Sequence, residues 1–238
     1  MPAARRLRGM NAKHSCEAKL VYARRYGPHP AAAMTPPYRA QWESPALVPE
    51  FLTGTPASAD PAWASSGAAS VEEYARWADH LCGCACLQMA LGARGRDVPP
   101  IHAIRRGVQR RGGYMEEADG TIRGLIYAGA VAWLADHGIA AEVRLDVTAR
   151  HIAGFVAAGA LFIASVHPAI RWPDRDPPAR GGHLVLVFGA ALDGALRFHN
   201  PSGHTAVTRR DVRMDLSTFS RFHAERGILI GPCAATPG

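Results

Sequence analysis

Residues 81–91, which read LCGCACLQMAL, constrain the fold of this chain more than any other stretch, because they place three of its five cysteines in one apolar run. Alanine, leucine and methionine are strong helix formers, and the run predicts a helix that buries one face. Gly83 breaks the chain just after Cys82, so we expect the helix to begin there. Unpaired backbone N–H groups and the positive end of the helix dipole favour a thiolate at a helix start. The pattern therefore predicts a reactive Cys82.

The charge of the chain is concentrated at its N-terminus. Residues 1–45 carry eight lysines and arginines against two acidic residues, so that +6 of the formal net charge of +7 lies there and +1 is left for residues 46–238. The remainder has no cationic stripe of the kind that phosphate binding needs, and we expect no nucleic-acid partner. No apolar window is long enough for a membrane span, and the N-terminus has arginines but lacks the continuous apolar stretch of a standard secretory signal. The chain has five cysteines, an odd number, and Cys82, Cys84 and Cys86 lie too close together for a secreted disulfide framework. Both features favour a reducing cytoplasm.

The order of the predicted elements indicates an α+β fold. Residues 1–45 contain several prolines and little hydrophobic periodicity, and we interpret them as a basic tail that is disordered or loosely docked. Residues 46–238 form a single domain in this interpretation, entered by an arm over 46–70. Helices are predicted from Ser70, and over 101–108, 122–137, 148–156 and 215–225, and strands over 141–145, 161–166 and 227–230. Helices come first and most strands later, unlike a repeating βαβ fold.

A hairpin brings two distant polar residues together. Residues 183–189 and 195–199 read as strands, and Asp193-Gly194 marks the turn between them. Antiparallel pairing around a loop near residue 192 places His183 beside Asn200 and Pro201. The preceding loop, 167–182, is rich in proline and arginine. Its residues Trp172, Arg171, Arg175 and Arg180 are candidates for substrate contacts, but we favour a solvated loop.

These residues supply the three roles of cysteine nucleophilic catalysis. A thiol needs a base to take its proton, and the base needs an acceptor that fixes its tautomer. Cys82 is the candidate nucleophile, His183 the base and Asn200 the orienting residue.

Three motifs carry a resemblance to a known family. CGCACLQM at 82–89, GHLVLV at 182–187 and HNPSG at 199–203 resemble the C39-like cysteine peptidases over roughly residues 70–230. The resemblance implies a papain-like fold, in which N-terminal helices with the nucleophile at a helix start pack on a C-terminal antiparallel sheet. It also implies that Cys82, and not Cys86, attacks the substrate, and that no cofactor takes part.

The chain departs from the family pattern at two places. Family members commonly carry a glutamine shortly before the nucleophile as an oxyanion donor, whereas Arg76 and Trp77 stand there in this chain. Loss of one such donor costs about two to three orders of magnitude in rate, and the second donor stays unassigned. Asn200 replaces the aspartate of many relatives, and an asparagine orients an imidazole but stabilises its cation less well.

Three functions follow from these residues. The first is a thiol hydrolase that cleaves a peptide or peptide-like amide, and the second is an acyltransferase or peptide ligase with the same triad. The third is a papain-fold binding module without catalysis, for which we expect an ordinary thiol pKa and His183 beyond hydrogen-bond reach of the thiol. The remaining cysteines are interpreted as packing residues, and their spacing disfavours a structural zinc site. They are Cys16, Cys84, Cys86 and Cys233.

Overall fold

Helices precede most strands along the chain, as predicted, in a computed structural model that describes residues 35–231. The helices are α1 (Val48–Leu52), α2 (Val71–Ala78), α3 (Cys82–Ala93), α4 (Ile101–Arg110), α5 (Tyr127–Asp136), α6 (Ala149–Ala157), α7 (Ala206–Arg209) and α8 (Leu216–Phe222). The strands are β1 (Ala141–Arg144), β2 (Leu161–Val166), β3 (His183–Ala190), β4 (Leu196–His199), β5 (Val212–Met214) and β6 (His223–Ile230). The predicted α+β class is confirmed.

Within the described residues the strands form one six-stranded sheet in the order β1-β6-β2-β3-β4-β5, and every neighbouring pair is antiparallel. Ile163 and Leu186 on one face pack with α3, α4 and α5. Phe162 and Val187 on the other face pack with α6 and α8. Because helices cover both faces, the central strands read as continuous apolar runs instead of alternating ones.

Helix α3 carries the predicted nucleophile against the sheet. Its residues from 83 to 91 are all buried. A Cβ atom on Gly83 would lie 2.7 Å from Leu125 Cδ2 and 3.1 Å from Leu184 Cδ1. Glycine is therefore required for the close approach of the helix start to β3. This packing of a cysteine-bearing helix on an antiparallel sheet is the arrangement expected of the papain-like fold.

Two predicted helices are longer than the observed ones. The helix predicted over 122–137 begins only at Tyr127, because Ile122 is extended and forms an isolated β-bridge with Glu116. The helix predicted over 215–225 ends at Phe222, because His223 already belongs to β6. Short apolar runs fit helix and strand periods equally well, and pairing with the rest of the fold decides between them.

Residues 35–45, which we call the N-terminal strap, dock onto the domain although the sequence placed them in the tail. Gln41 N–H donates to Pro201 O at 3.1 Å, and His199 Nε2–H donates to Pro36 O at 2.8 Å. Trp42 is buried. An extended segment can dock through backbone hydrogen bonds without any hydrophobic period, so the sequence pattern does not reveal this contact. The rest of the predicted tail lies outside the described residues.

A buried carboxylate fastens the end of the strap. Asp60 is 1% exposed and accepts hydrogen bonds from Ser44 Oγ at 2.5 Å and from Tyr74 OH at 2.5 Å. The backbone N–H groups of Glu43 and Ala62 donate to the same carboxylate. Burial raises the pKa of Asp60, but these hydrogen bonds outweigh it and the net shift is downward. The carboxylate therefore stays ionised and joins the strap to α2.

Candidate active site

Cys82 is the first residue of α3 and lies partly exposed at its N-terminus. The backbone N–H groups of Leu184 and Gly83 lie close enough to its sulfur to act on the thiol and lower its pKa. The first of these belongs to β3 and the second to the open end of the helix. The predicted position of the thiol at a helix start is confirmed.

The resting thiol is nevertheless not the stabilised thiolate that the helix start predicts. Burial raises the pKa of Cys82 above its ordinary value, and the two backbone N–H groups and the positive charge of Arg171 act against that shift without overcoming it. The free energy lost by removing the thiolate from water is larger here than the stabilisation that the helix terminus provides. Cys82 is therefore a neutral thiol at neutral pH.

His183 and Asn200 meet at the end of the hairpin, as the strand pairing predicts. His183 Nε2 lies 2.8 Å from Asn200 Oδ1. The backbone N–H of Ser202 donates to the same Oδ1 at 3.2 Å, which fixes the orientation of the amide. The imidazole must then donate from Nε2, so that its Nδ1 carries the lone pair of a base. Asn200 thus selects the tautomer of His183.

His183 is 4% exposed. Burial, followed by the positive charge of Arg171, lowers its pKa to about 3, although the hydrogen bond to Asn200 acts in the opposite direction. The imidazole is therefore neutral at any physiological pH. A neutral imidazole can accept a proton, which is the role of a general base.

Cys82 and His183 face the same pocket, which has a volume of about 310 Å³ and is also lined by Leu125, Tyr127 and Leu184. Within residues 35–231 the structure shows no hydrogen bond between these two side chains. Catalytic hydrogen bonds are often long before substrate binds. The resting site thus holds a neutral thiol and a neutral imidazole on the walls of one cavity.

Arg171 and Ser202 complete the site, although sequence reasoning assigned neither of them a role beside the catalytic histidine. Arg171 ends a 3₁₀ turn, Pro168–Arg171, in the loop that was interpreted as solvated. Its Nε donates to Ser202 O at 2.9 Å, and its Nη2 donates to Ser202 Oγ at 2.6 Å. Ser202 Oγ in turn lies 3.2 Å from His183 Nε2. The only signal in the sequence was the arginine-rich composition of the loop, which does not identify a partner.

The residues that replace the family's glutamine point away from the pocket. Arg76 forms an exposed ion pair with Glu116 at 2.7 Å. Trp77 is 2% exposed and packs edge-on against Tyr114, with the Arg105 guanidinium 4.5 Å above its ring. Neither side chain can therefore donate to an oxyanion at Cys82. Arg171 is instead a cationic side chain whose charge acts on that sulfur.

The neighbouring cysteines are packing residues, as interpreted. Cys84 and Cys86 are both 0% exposed. Cys84 Sγ lies 3.5 Å from Tyr114 OH, and burial raises the pKa of Cys84 to about 12. Cys16 and Cys233 lie outside the described residues. Among residues 35–231, no group of three or more His, Cys, Asp or Glu side chains is arranged to hold a metal ion. The helices of the same part of the chain are all too short or too polar to cross a membrane.

Comparison with known proteins gives one kind of match. No family model and no curated protein sequence matches the chain. Among solved structures, the chain is similar to the peptidase domain of Streptococcus ComA, a bi-functional ABC transporter involved in a quorum-sensing pathway. The two share 17% sequence identity with a TM-score of 0.46, over 64% of this chain and 92% of that domain.

Proposed function

We propose that this chain is a thiol hydrolase that cleaves a peptide or peptide-like amide through an acyl-enzyme formed on Cys82. The observation that carries the proposal is the 2.8 Å contact between His183 Nε2 and Asn200 Oδ1, which leaves Nδ1 as a base on the wall of the pocket that Cys82 shares. The three predicted residues thereby keep the roles of nucleophile, base and orienting group.

The proposed reaction begins from the neutral pair. The Cys82 sulfur forms a bond to the substrate carbonyl carbon while the thiol proton passes to His183 Nδ1. The imidazolium returns that proton to the leaving nitrogen as the C–N bond breaks, which leaves a thioester. Water then attacks the thioester with His183 as base, and the acid product departs as the thiol regains its proton.

Transfer of the proton to His183 is uphill in the resting site, because the pKa of the imidazole is low and that of the thiol is high. It must therefore accompany formation of the C–S bond, when the negative charge moves from sulfur to the carbonyl oxygen. The open N–H groups at the start of α3 and the charge of Arg171 stabilise that oxyanion. Asn200 stabilises the imidazolium formed at the same moment.

Digestion of a defined peptide mixture tests this function. The wild-type chain is incubated with a proteome-derived peptide library, and new termini are identified by mass spectrometry beside Cys82→Ala and His183→Ala controls. We expect cleavage by the wild type and none by either variant. Equal cleavage by wild type and Cys82→Ala would contradict the proposal. Products that carry an added amine, in a parallel reaction with excess amine, would identify the acyltransferase alternative.

One observation favours a second candidate, a peptide-binding module without catalysis. The Cys82 sulfur has no hydrogen bond to His183 in the described structure, as expected of such a module, although the raised pKa of the thiol differs from the ordinary value expected for it. A binding module would take up library peptides without cleaving them, and its Cys82 would be alkylated at the same rate with or without the His183 imidazole. A thiol hydrolase loses alkylation rate in His183→Ala, since the base is gone.

The proposal includes a cytoplasmic site of action and no nucleic-acid partner. Cys82, Cys84 and Cys86 are free, as expected in a reducing compartment. The net charge of +1 over residues 46–238 supports a substrate other than a polyphosphate.

A further inference from the structure

The pocket beside Cys82 has a charged wall that the triad does not use. Arg226 is the one charged side chain among the described residues that line this pocket. It is exposed, and within residues 35–231 its guanidinium has no hydrogen bond and no ion pair. The neighbouring carboxylate of Glu225 faces Arg180 at 3.9 Å. The pocket therefore presents an unneutralised cation to whatever enters it.

A bulge in the sheet aims Arg226 at the pocket. Along the β2–β6 pair, Ala164 lies opposite Gly227 and Val166 lies opposite His223, so residues 224–226 face a single residue of β2, which is Ser165. Glu225, in the middle of this bulge, has a left-handed φ of 52°. Bulges are frequent beside active sites, where they redirect a side chain. Here the bulge brings the residue after Glu225 to the pocket wall.

The Ser165 hydroxyl and the Arg226 guanidinium converge at one point. A Cβ atom on Gly181 would lie 3.1 Å from Arg226 Nη2 and 3.3 Å from Ser165 Oγ, so the two polar groups flank the same small space. Gly181 has a φ of 88°, which only glycine adopts without strain. Ser165 is 2% exposed and lines the pocket. A buried hydroxyl beside a guanidinium without a partner among the described residues matches the donors that bind a carboxylate.

We propose that this pocket binds a carboxylate of the substrate through Arg226 and Ser165, and that the enzyme therefore prefers acidic substrates. The inference rests on the proposed function, because the pocket is the one into which Cys82 opens. The carboxylate can come from an acidic side chain next to the cleaved bond or from the C-terminus of the peptide. Arg226 determines specificity in this arrangement and takes no part in the proton transfers.

Alkylation of Cys82 with two matched reagents tests the inference in the full chain. Iodoacetate and iodoacetamide differ in one charge, and the ratio of their rates at Cys82 measures attraction of a carboxylate. We expect Arg226→Gln to lower this ratio by about three- to tenfold, the range for one charge-assisted pair that is partly exposed to water. Arg226→Lys keeps most of the ratio. Arg150→Gln, a matched change of an exposed arginine outside the pocket, leaves the ratio unchanged.

A second set of reagents identifies the source of the carboxylate. Chloroacetyl-aspartic acid amide carries it on a side chain, chloroacetyl-alanine carries it at the C-terminus, and chloroacetyl-alanine amide has none. We expect one acidic reagent to alkylate the wild type faster than the neutral one and to lose that advantage in Arg226→Gln. Raising the ionic strength from about 0.05 M to about 0.5 M shortens the Debye length and should reduce the same advantage.

The results separate failure of this inference from failure of the proposed function. If iodoacetamide labels Cys82 in a manner that depends on His183, but the iodoacetate ratio is the same in wild type and Arg226→Gln, the carboxylate site is wrong and the nucleophile stands. If Cys82 is alkylated no faster in the wild type than in His183→Ala, the proposed function is wrong, whatever the iodoacetate ratio shows. Thermal melting of Arg226→Gln confirms that the variant is folded in either case.

Discussion

Replacement of Asn200 by aspartate should convert the neutral cysteine–histidine pair toward an ion pair. Asn200 Oδ1 lies 2.8 Å from His183 Nε2 and is a neutral acceptor. An aspartate oxygen at the same distance carries a negative charge, which favours the protonated imidazole and raises the pKa of His183 from its value of about 3. The thiol proton then has a better acceptor, and the population with a thiolate at Cys82 increases.

The size of the effect follows from the hydrogen bond that changes. A neutral hydrogen bond contributes about 0.5–1.5 kcal/mol and one to a charged group about 1.5–3 kcal/mol, a difference of roughly 1–2 kcal/mol. One pKa unit corresponds to about 1.4 kcal/mol, so the pKa of His183 should rise by about one unit. The ion-pair population, and with it the rate of Cys82 alkylation near neutral pH, should rise about tenfold. The gain is limited because the second oxygen of the aspartate takes the place of Asn200 Nδ2. That atom is buried and has no hydrogen-bond partner among the described residues, so the charge on the second oxygen has none there either.

Alkylation of Cys82 by iodoacetamide between pH 4 and pH 9 measures the effect, with the modified residue located by peptide mass spectrometry. Asn200→Asp should raise the rate near neutral pH, whereas the matched control Asn200→Ala, which removes the acceptor, should lower it. The double variant Asn200→Asp with His183→Ala should lose the gain. If Asn200→Asp and Asn200→Ala both retain the wild-type profile while remaining folded, Asn200 does not control the imidazole and the reasoning is refuted.

Three further predictions concern other parts of the structure. Arg171→Met removes a charge that lowers the pKa of both the Cys82 thiol and the imidazole, so the whole pH profile of alkylation should move to higher pH, and an unmoved profile would exclude this role. Gly83→Ala places a Cβ 2.7 Å from Leu125 Cδ2 and should lower the free energy of unfolding by about 1–3 kcal/mol, measured in urea; a variant as stable as the wild type would show that the helix can shift freely. Asp60→Ala removes an ionised acceptor of several hydrogen bonds and should cost about 1.5–3 kcal/mol. The folded-state pKa of Asp60 is lowered. The contribution of Asp60 to the free energy of unfolding is therefore fully present above the unfolded-state pKa of about 3.9 and is lost as pH falls through the folded-state pKa. A difference in stability between wild type and Asp60→Ala that persists at the lowest pH would contradict this prediction.

The parts of the site that the sequence predicted depend on local signals. Helix formers after Cys82 predict α3, and the Asp193-Gly194 turn predicts the hairpin of β3 and β4. The hairpin alone brings His183 to Asn200, because residues equally distant from a turn lie opposite one another. The observed pairing contains a register shift between Val187 and Gly189, which the sequence did not predict. The predicted contact between His183 and Asn200 still forms, because it requires only that the two residues lie roughly opposite one another.

The remaining features depend on contacts between residues that are distant in the chain. Arg171 and Ser202 are 31 residues apart and carry no shared period or motif. Arg226 reaches the pocket through a bulge, whose presence is decided by the pairing of β6 with β2 and not by composition. A composition-based interpretation consequently assigned the arginine-rich loop to solvent.

The protonation state of Cys82 was also beyond a local argument. A helix start favours a thiolate, but burial by β3 and α3 opposes it and is the larger effect. The extent of burial is known only once the tertiary structure is known. The N-terminal strap illustrates the same limit, since its docking includes hydrogen bonds to backbone groups such as Pro201 O, which leave no pattern in the sequence.

The central claim is that Cys82 forms an acyl-enzyme with His183 as its base, and intact-protein mass spectrometry after mixing with p-nitrophenyl acetate tests it most directly. This ester acylates an activated thiol without any requirement for peptide specificity. We predict one acetyl group, located on Cys82, which forms with a burst of p-nitrophenol and then hydrolyses, and which forms far more slowly in His183→Ala. Acetylation at equal rates in wild type and His183→Ala, or no thioester on Cys82, would contradict the account.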